Sequence, residues 1–205
     1  MVISFVLFDM DDVLCHYDRS ARIRSLAALA NRTFEEVLHA VWGSGLEAKA
    51  DAGALDEASY LQATSTLLGC RVSKQDWLHA RRAAMAPDFQ VLALAKAVSM
   101  RCKIAVLTNN PQLVSENIAF LCPPVAELFG ARVYASASFK ATKPAAQTYQ
   151  GCLDAMNVAA SETLFIDDSS TNVAGALSAG LHSYLFTDHQ ALAAELRGRG
   201  LIDID

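Results

Sequence analysis

The sequence has few charged residues, no excess of basic residues and no closely spaced cysteines. Only 19% of its 205 residues are charged, and the formal net charge is −5. An acidic chain without a basic stripe does not have the charge pattern of a nucleic-acid-binding protein, so we expect no nucleic-acid partner. The five cysteines are scattered singly and form no C-x-x-C pair. This predicts a reducing compartment and no structural zinc.

Signals for membranes and targeting are also lacking. The first apolar run meets Asp9 too early to span a membrane, and no basic segment precedes it as in a signal peptide. We therefore expect a cytoplasmic protein with no membrane partner. Hydrophobic residues make up 53% of the chain, and no repeat or low-complexity segment interrupts it. This predicts one sizeable core, with room for a small appended subdomain.

The most distinctive stretch lies near the start, where an apolar run over residues 2–8 ends in three carboxylates, Asp9, Asp11 and Asp12. The run has the length of a strand buried on both faces of a parallel sheet. Asp9 would then lie at the carboxyl end of the strand, where open α/β sheets bind ligands. Carboxylates this close repel one another, and a hard cation such as Mg²⁺ would neutralise them. Taken alone, the pattern fits a solvated aspartate-rich turn equally well.

Residues 15–84 have a helical pattern. Thr33 and Glu36 have the spacing of a capping box, and a later helix is predicted to begin at Asp56 or nearby. No strand pattern interrupts this segment. We therefore predict an all-helical insert, and we use that term below for residues 15–84.

Strand and helix patterns alternate after the insert. Buried strands are predicted near residues 103–107 and 162–166. This alternation predicts a parallel sheet with right-handed crossovers. The expected fold is α/β, with a three-layer α/β/α, Rossmann-like core made of residues 1–14 and 85–205.

Prolines mark several helix boundaries in this half of the chain. Asn110 is predicted to cap a helix whose first residue is Pro111, and residues 122–124 are predicted to end that helix. A further helix is predicted to begin at Lys143-Pro144.

Polar groups follow three of the predicted strands and precede one helix on the same side. In chain order they are Asp9 with Asp11, Thr108 with Asn109, Lys143, and Asp167 with Asp168. Because parallel strands end at one edge of a sheet, these residues can meet in one crevice. Carboxylates can hold a metal there, while a hydroxyl, free amides and a lysine bind an anion, so the set fits a phosphoryl group bound with Mg²⁺. Singly, each could be only a turn, a helix cap or a solvated lysine.

These residues resemble the motifs of the haloacid dehalogenase superfamily, which consists mostly of Mg²⁺-dependent phosphatases. The matching segments are residues 5–13, Thr108-Asn109, Lys143-Pro144 and residues 167–172. The insert resembles the small helical cap of the first subfamily. The chain departs from the pattern at Asp12, where a small residue such as glycine is more common.

The resemblance implies catalysis through an aspartyl-phosphate. Asp9 would attack phosphorus, and Asp11 would give a proton to the leaving oxygen and later take one from water. Asp11 would have to start protonated, which neighbouring carboxylates would favour. Lys143 would offset charge on the nucleophile and the phosphoryl group, while Thr108 and the Asn109 amide would bind phosphoryl oxygens.

The resemblance also implies a set of metal ligands. Mg²⁺ would be held by an oxygen of Asp9, the backbone carbonyl of Asp11 and Asp168, with Asp167 acting through water. The substrate would be a small phosphorylated metabolite, such as a sugar phosphate or a nucleotide. Both a monomer and a homodimer are consistent with the sequence.

Three other activities share parts of this pattern. A phosphomutase shares every motif. Relatives that cleave carbon–halogen bonds in 2-haloacids lack the equivalents of Asp11, Asp167 and Asp168, so these residues oppose that activity. A non-catalytic binding domain would usually have lost the nucleophile or the lysine, and this chain keeps Asp9 and Lys143.

Substrate selection is expected to lie in the insert, since all four motifs lie outside it. Residues 46–50, which follow Trp42 and are bounded by glycine-containing breaks, are predicted to contact the substrate. Within this segment, Glu47 and Lys49 are expected to be solvated.

Overall fold

The computed structural model describes residues 2–203, and a five-stranded parallel sheet lies at its centre. The order across this sheet is β5-β4-β1-β6-β7, and β2 pairs with β3 separately. The strands are β1 (Phe5–Phe8), β2 (Cys15–Tyr17), β3 (Met85–Pro87), β4 (Lys103–Thr108), β5 (Val133–Ala135), β6 (Thr163–Asp167) and β7 (His182–Leu185).

Strand β1 is the middle strand and is buried on both faces. It pairs in parallel with β4 and β6. Because side chains alternate along a strand, Val6 and Phe8 contribute to one hydrophobic cluster, whereas Phe5 and Leu7 contribute to a second cluster on the opposite face. All four side chains are inaccessible to solvent. The predicted buried strand is therefore confirmed, although it begins at Phe5 and not at residue 2.

Helices cover both faces of the sheet. Helices α6, α9 and α12 supply residues to the cluster around Val6, while α10 and α11 supply residues to the cluster around Phe5. The helices are α1 (Arg19–Ala30), α2 (Phe34–Val37), α3 (Leu46–Asp51), α4 (Glu57–Leu68), α5 (Lys74–Arg82), α6 (Phe89–Ser99), α7 (Gln112–Glu116), α8 (Ile118–Leu121), α9 (Pro123–Phe129), α10 (Ala146–Met156), α11 (Ser170–Ser178) and α12 (His189–Gly198). This confirms the predicted three-layer α/β/α fold. Between residues 2 and 203, no helix is both long enough and apolar enough to cross a membrane.

Helices α1 to α5 form the insert. The predicted capping box is confirmed, because the Thr33 side chain accepts from the Glu36 N–H and the Glu36 side chain accepts from the Thr33 N–H. Asp56 likewise caps α4 by accepting from the Ser59 N–H at 2.8 Å. The helix that begins at Phe34 continues as a π-helical segment, Leu38–Gly43.

The prediction that the insert contains no strand is wrong at its first residues. Strand β2 (Cys15–Tyr17) pairs antiparallel with β3 (Met85–Pro87), which lies just beyond the other end of the insert. Two strands of three residues each show no periodic pattern, and they form because the two crossings between insert and core lie side by side. Division into a core and a cap at residues 14/15 and 84/85 stays a prediction.

Three helix boundaries also differ from the predictions. Pro111, and not Asn110, occupies the N-cap position of α7. Pro123 begins a new helix, α9, in addition to ending α8, since the ring of proline suits the first turn of a helix. The helix predicted from Lys143 begins at Ala146.

Candidate active site

Asp9 lies immediately beyond β1, at the carboxyl edge of the sheet. Its N–H donates to the Ile166 carbonyl at 2.8 Å, which extends the pairing of β1 with β6. Its carboxylate accepts from Lys143 Nζ at 2.7 Å. Burial raises the pKa of Asp9 to about 8, although the Lys143 ammonium opposes this shift.

Lys143 is buried between two carboxylates. Its Nζ lies 2.7 Å from an Asp9 oxygen and 2.7 Å from an Asp167 oxygen. Burial alone would lower the pKa of Lys143, but the two carboxylates outweigh it and the pKa is raised. Lys143 is therefore a permanent cation at the base of the crevice, and the simpler interpretation as a solvated lysine is wrong.

Asp167 is fully buried and holds its position through several donors. Its oxygens accept from Lys143 Nζ, from the Ser169 N–H at 2.8 Å, and from Asn172 Nδ2 at 3.1 Å to each oxygen. Asp168, one residue further, is exposed. The pKa of Asp168 is nevertheless raised, chiefly because its carboxylate is partly desolvated and secondly because of the negative charge of Asp167.

Three carboxylates are close enough to share one metal ion. Oxygens of Asp9, Asp167 and Asp168 all lie within 4.8 Å of one another. An all-oxygen set of this kind suits a hard divalent cation. The Asp11 side chain is not part of this set, and metal binding by its backbone carbonyl, which the family resemblance implies, stays a prediction.

Asp11 has neighbours beyond those expected. Arg81 of the insert donates from Nη2 to both of its oxygens, at 2.7 and 2.6 Å. Asn110 Nδ2 donates to one of them at 3.1 Å. The Arg81 guanidinium is buried and lies 3.9 Å from the centre of the Tyr17 ring. Cationic and amide donors therefore contact Asp11, in addition to the carboxylates of Asp9 and Asp51, which lie close enough to interact with it.

The last residue of β4 and the residues directly after it lie on the side of the crevice opposite Asp9. Thr108 is buried, and its hydroxyl accepts from Asn110 Nδ2 at 2.7 Å. The Asn109 side chain donates to the Lys143 carbonyl at 2.9 Å and accepts from the Lys143 N–H at 2.8 Å. Asn109 thus holds the backbone that carries the lysine. Phosphoryl binding by Thr108 and by the Asn109 backbone amide stays a prediction.

Asp12 has a structural role that accounts for its departure from the family pattern. Its φ of 61° lies in the left-handed region, where glycine has no steric cost. Its side chain accepts from the Tyr17 N–H at 3.0 Å, which ties the turn to the end of β2.

A cavity of about 410 Å³ lies between the carboxyl edge of the sheet and the insert. The sequence analysis missed Arg22, Asp51, Arg81 and Asn110 in its wall. A partial signal was present for Arg81, which lies four residues after the buried Trp77 and so shares its helix face. The cavity is lined by Asp9, Asp11, Asp12, Tyr17, Arg19, Arg22, Trp42, Glu47, Ala48, Asp51, Arg81, Asn109, Asn110 and Asp168.

The segment predicted to contact the substrate, residues 46–50, only partly faces this cavity. Leu46 and Ala50 are buried in the hydrophobic core. Glu47 and Ala48 line the cavity, and Lys49 is exposed as expected.

Glu47 is not the solvated residue that the sequence suggested. It accepts from Arg22 Nη1 at 2.7 Å and is hydrogen-bonded to the Tyr60 hydroxyl. The Arg22 guanidinium is itself buried and lies 5.1 and 4.7 Å from the ring centres of Trp42 and Trp77. This cluster forms the roof of the cavity, and Trp42 belongs both to the core of the insert and to the cavity wall.

Comparison with known proteins places the chain in a family. A family model for haloacid dehalogenase-like hydrolases matches residues 3–180. The chain is 30% identical over 194 residues to phosphatase MT3486 of Mycobacterium tuberculosis, covering 90% of this chain and 88% of that protein.

Solved structures show the same fold. A predicted HAD-like family hydrolase from Porphyromonas gingivalis superposes with a TM-score of 0.79 at 24% identity, over 96% of this chain and 99% of the other. The HAD family enzyme bt-2542 from Bacteroides thetaiotaomicron, in complex with magnesium and inorganic phosphate, superposes with a TM-score of 0.77 at 20% identity, over 90% and 94% of the two chains. The chain belongs to the haloacid dehalogenase-like hydrolases.

Proposed function

We propose that this hydrolase cleaves a phosphomonoester of a small metabolite, with Mg²⁺ as cofactor and Asp9 as the nucleophile. The observation that carries the proposal is the position of Asp9 between the Lys143 ammonium, 2.7 Å away, and the carboxylates of Asp167 and Asp168. The name of phosphatase MT3486 and the magnesium–phosphate complex of bt-2542 support it.

The residues at this edge of the sheet fit Mg²⁺. Asp9, Asp167 and Asp168 offer oxygen ligands from three positions, and the Asp11 backbone carbonyl is a further donor. When bound there, Mg²⁺ would neutralise charge on the phosphoryl oxygens.

The side chains around Asp9 have distinct tasks in the proposed reaction. The Asp9 carboxylate attacks phosphorus, and the bond to the leaving oxygen breaks. Lys143 keeps the nucleophile oriented and offsets the charge that develops on the phosphoryl oxygens. Thr108 and the Asn109 amide bind those oxygens from the opposite wall.

Asp11 is proposed to carry the proton in both half-reactions. It is 22% exposed at its side chain and lines the cavity, so it can reach the leaving oxygen and then a water molecule. Arg81 donates to both of its oxygens and Asn110 to one, so Asp11 takes up a proton only when the contact with Arg81 weakens as substrate binds. We infer that both residues position Asp11 and do not touch the phosphoryl group.

The proposal is tested by phosphate release from p-nitrophenyl phosphate with Mg²⁺ and with EDTA, and by chloride release from 2-chloropropionate. We expect Mg²⁺-dependent phosphate release and no chloride release. Incubation with glucose 1-phosphate separates hydrolysis, which yields glucose and phosphate, from a mutase reaction, which yields glucose 6-phosphate. Chloride release or conversion between hexose phosphates would contradict the proposal.

A further inference from the structure

Asp51 is a cavity residue to which the proposed reaction assigns no task. It ends α3, is only partly exposed, and lines the cavity between the insert and the sheet. Among residues 2–203, no side chain or backbone group forms a hydrogen bond with its carboxyl group. Its carboxyl oxygens are not enclosed by the protein, so a ligand in the cavity can supply a hydrogen-bond partner.

The other charged groups deep in this cavity already have partners. Arg22 is paired with Glu47 at 2.7 Å, and Arg81 is paired with Asp11 at 2.6 Å. The positive charge of each guanidinium is therefore already offset by a carboxylate, although the buried Nε of each has no hydrogen-bond partner. Asp51 is a carboxyl group in this wall that has neither a hydrogen-bond partner among residues 2–203 nor a place in the proposed metal site.

The segment that carries Asp51 is anchored to the core. The backbone carbonyl of Asp51 accepts from Ser136 Oγ at 2.7 Å. The carbonyl of Gly53, two residues further along, accepts from Lys140 Nζ at 2.8 Å. A Cβ on Gly53 would come within 2.2 Å of the Ala137 carbonyl oxygen, so the two backbones touch. These contacts hold Asp51 at a defined position relative to the strand ends that carry Asp9.

We propose that Asp51 selects the leaving group, and that it does so by hydrogen bonding to a hydroxyl of an uncharged polyol, such as the sugar part of a sugar phosphate. This inference rests on the proposed phosphatase function. It names a specificity residue and narrows the substrate class, and it leaves the roles of Asp9, Asp11 and Lys143 unchanged.

The surroundings of Asp51 favour a hydroxyl over an ammonium group. Burial, and then the charge of Glu47, raise the pKa of Asp51 to about 8, while Arg22 and Arg81 act in the opposite direction. A carboxyl group that keeps its proton can both donate and accept, as a hydroxyl does. An ammonium ion has only donors, so it cannot use the donor of a protonated carboxyl group, whereas a hydroxyl can use both the donor and the acceptor.

The test compares four phosphomonoesters that differ only in the leaving group. They are glucose 6-phosphate, n-butyl phosphate, phosphoethanolamine and 3-phosphoglycerate, with p-nitrophenyl phosphate as the reference for activity. For the wild-type protein with Mg²⁺, we expect the highest kcat/KM with glucose 6-phosphate. A preference for phosphoethanolamine or 3-phosphoglycerate would overturn the proposal without any variant being needed.

Two variants assign the preference to Asp51. We expect Asp51→Ala to lower kcat/KM for glucose 6-phosphate about tenfold more than for n-butyl phosphate, the scale of one lost hydrogen bond. Asp51→Asn keeps a donor and an acceptor. The ratio of its kcat/KM for glucose 6-phosphate to its kcat/KM for n-butyl phosphate should therefore stay within about threefold of the wild-type ratio. Glu35→Ala is the matched control, because Glu35 is an exposed acidic residue of the insert outside the cavity.

The outcomes separate this inference from the proposed function. Equal losses on both esters with Asp51→Ala would refute the role of Asp51 while leaving the phosphatase function intact. Absence of Mg²⁺-dependent hydrolysis of every ester, including p-nitrophenyl phosphate, by the wild-type protein would instead refute the phosphatase function.

Discussion

Lys143 explains how two acidic residues can lie close together in a desolvated crevice. Its ammonium contacts both Asp9 and Asp167, so each carboxylate has a positive partner despite burial. Burial without such a partner would drive both groups to the neutral form. The lysine therefore favours the charged, nucleophilic form of Asp9 and opposes the effect of burial at the end of β1.

The first prediction concerns Asp9. The substitution Asp9→Asn should lower kcat for p-nitrophenyl phosphate by at least ~10³-fold, the scale of losing a nucleophile. The far-UV circular dichroism spectrum should be unchanged, because the amide has almost the same shape as the carboxylate. Near-wild-type turnover by a folded Asp9→Asn protein would rule out the covalent route.

The second prediction compares two acidic residues near the proposed metal site. Asp168→Ala should raise the Mg²⁺ concentration needed for half-maximal activity more than Asp12→Ala does. The reason is that an Asp168 oxygen lies within 4.8 Å of oxygens of Asp9 and Asp167, whereas the Asp12 side chain accepts from the Tyr17 N–H. Mg²⁺ titration of turnover measures both effects, and a larger shift for Asp12→Ala would reverse the assignment.

The third prediction concerns stability and pH at Asp51. Its pKa is raised to about 8 in the folded protein, chiefly by burial, from about 3.8. The folded state therefore holds this proton more tightly, and the resulting stability is complete below about pH 4 and is lost as pH rises to about 8.

The free energy of unfolding of the wild type, relative to that of Asp51→Asn, should accordingly fall between pH 4 and pH 8. Urea unfolding at several pH values measures this difference, in which the titration of other groups largely cancels. A difference that stays constant with pH would show that the pKa of Asp51 is not raised in the folded protein.

At the scale of secondary-structure elements, a buried ion pair joins α1 to α3. Arg22 of α1 is 3% exposed at its side chain and Glu47 of α3 is 13% exposed, so water screens this pair weakly. Breaking a buried pair by removing one partner leaves an uncompensated charge.

The fourth prediction follows from that pair. Glu47→Gln should lower the free energy of unfolding by about 3 kcal/mol. Glu57→Gln is the matched control, because Glu57 pairs with Lys74 where both side chains are more than one-third exposed, and it should cost less than about 1 kcal/mol. Urea unfolding measures both changes in the free energy of unfolding. Equal changes would mean that burial of the Arg22–Glu47 pair does not increase its contribution to stability.

Elements with a local signal were predicted correctly, and those without one were not. The capping box at Thr33 and the buried run of β1 depend on neighbouring residues, which a sequence displays directly. Strands β2 and β3 pair across 70 residues and have three residues each, so no local pattern marks them. The break between α7 and α8 at Asn117 likewise has no strong helix-breaking residue.

At the scale of the whole molecule, the insert and the sheet share one hydrophobic cluster. This cluster runs from Val6 and Phe8 of β1, through Met10 and Leu14, to helices of the insert. The ion pair between Arg81 and Asp11 adds a polar contact between the same two parts. Unfolding of the insert would therefore expose part of the core, and the molecule should unfold as one unit.

The fifth prediction tests this coupling with probes that the chain already contains. Its two tryptophans, Trp42 and Trp77, both lie in the insert, so their fluorescence reports on that part alone. The urea midpoints from tryptophan fluorescence and from far-UV circular dichroism should coincide for the wild type. A fluorescence midpoint at a clearly lower urea concentration than the circular dichroism midpoint would show that the insert unfolds independently.

The sequence by itself determined the α/β fold and the candidate groups at the strand ends. Buried parallel strands are continuous apolar runs, and the polar residues that follow them must lie at one edge of the sheet, so Asp9, Thr108 and Asp167 could be identified without coordinates. Only the tertiary structure decided that Arg81 contacts Asp11 and that Asp51 is left without a partner. The physical reason is that such contacts depend on how the helices of the insert pack over the sheet, and charged residues on helices show no pattern that distinguishes a buried position from a solvated one.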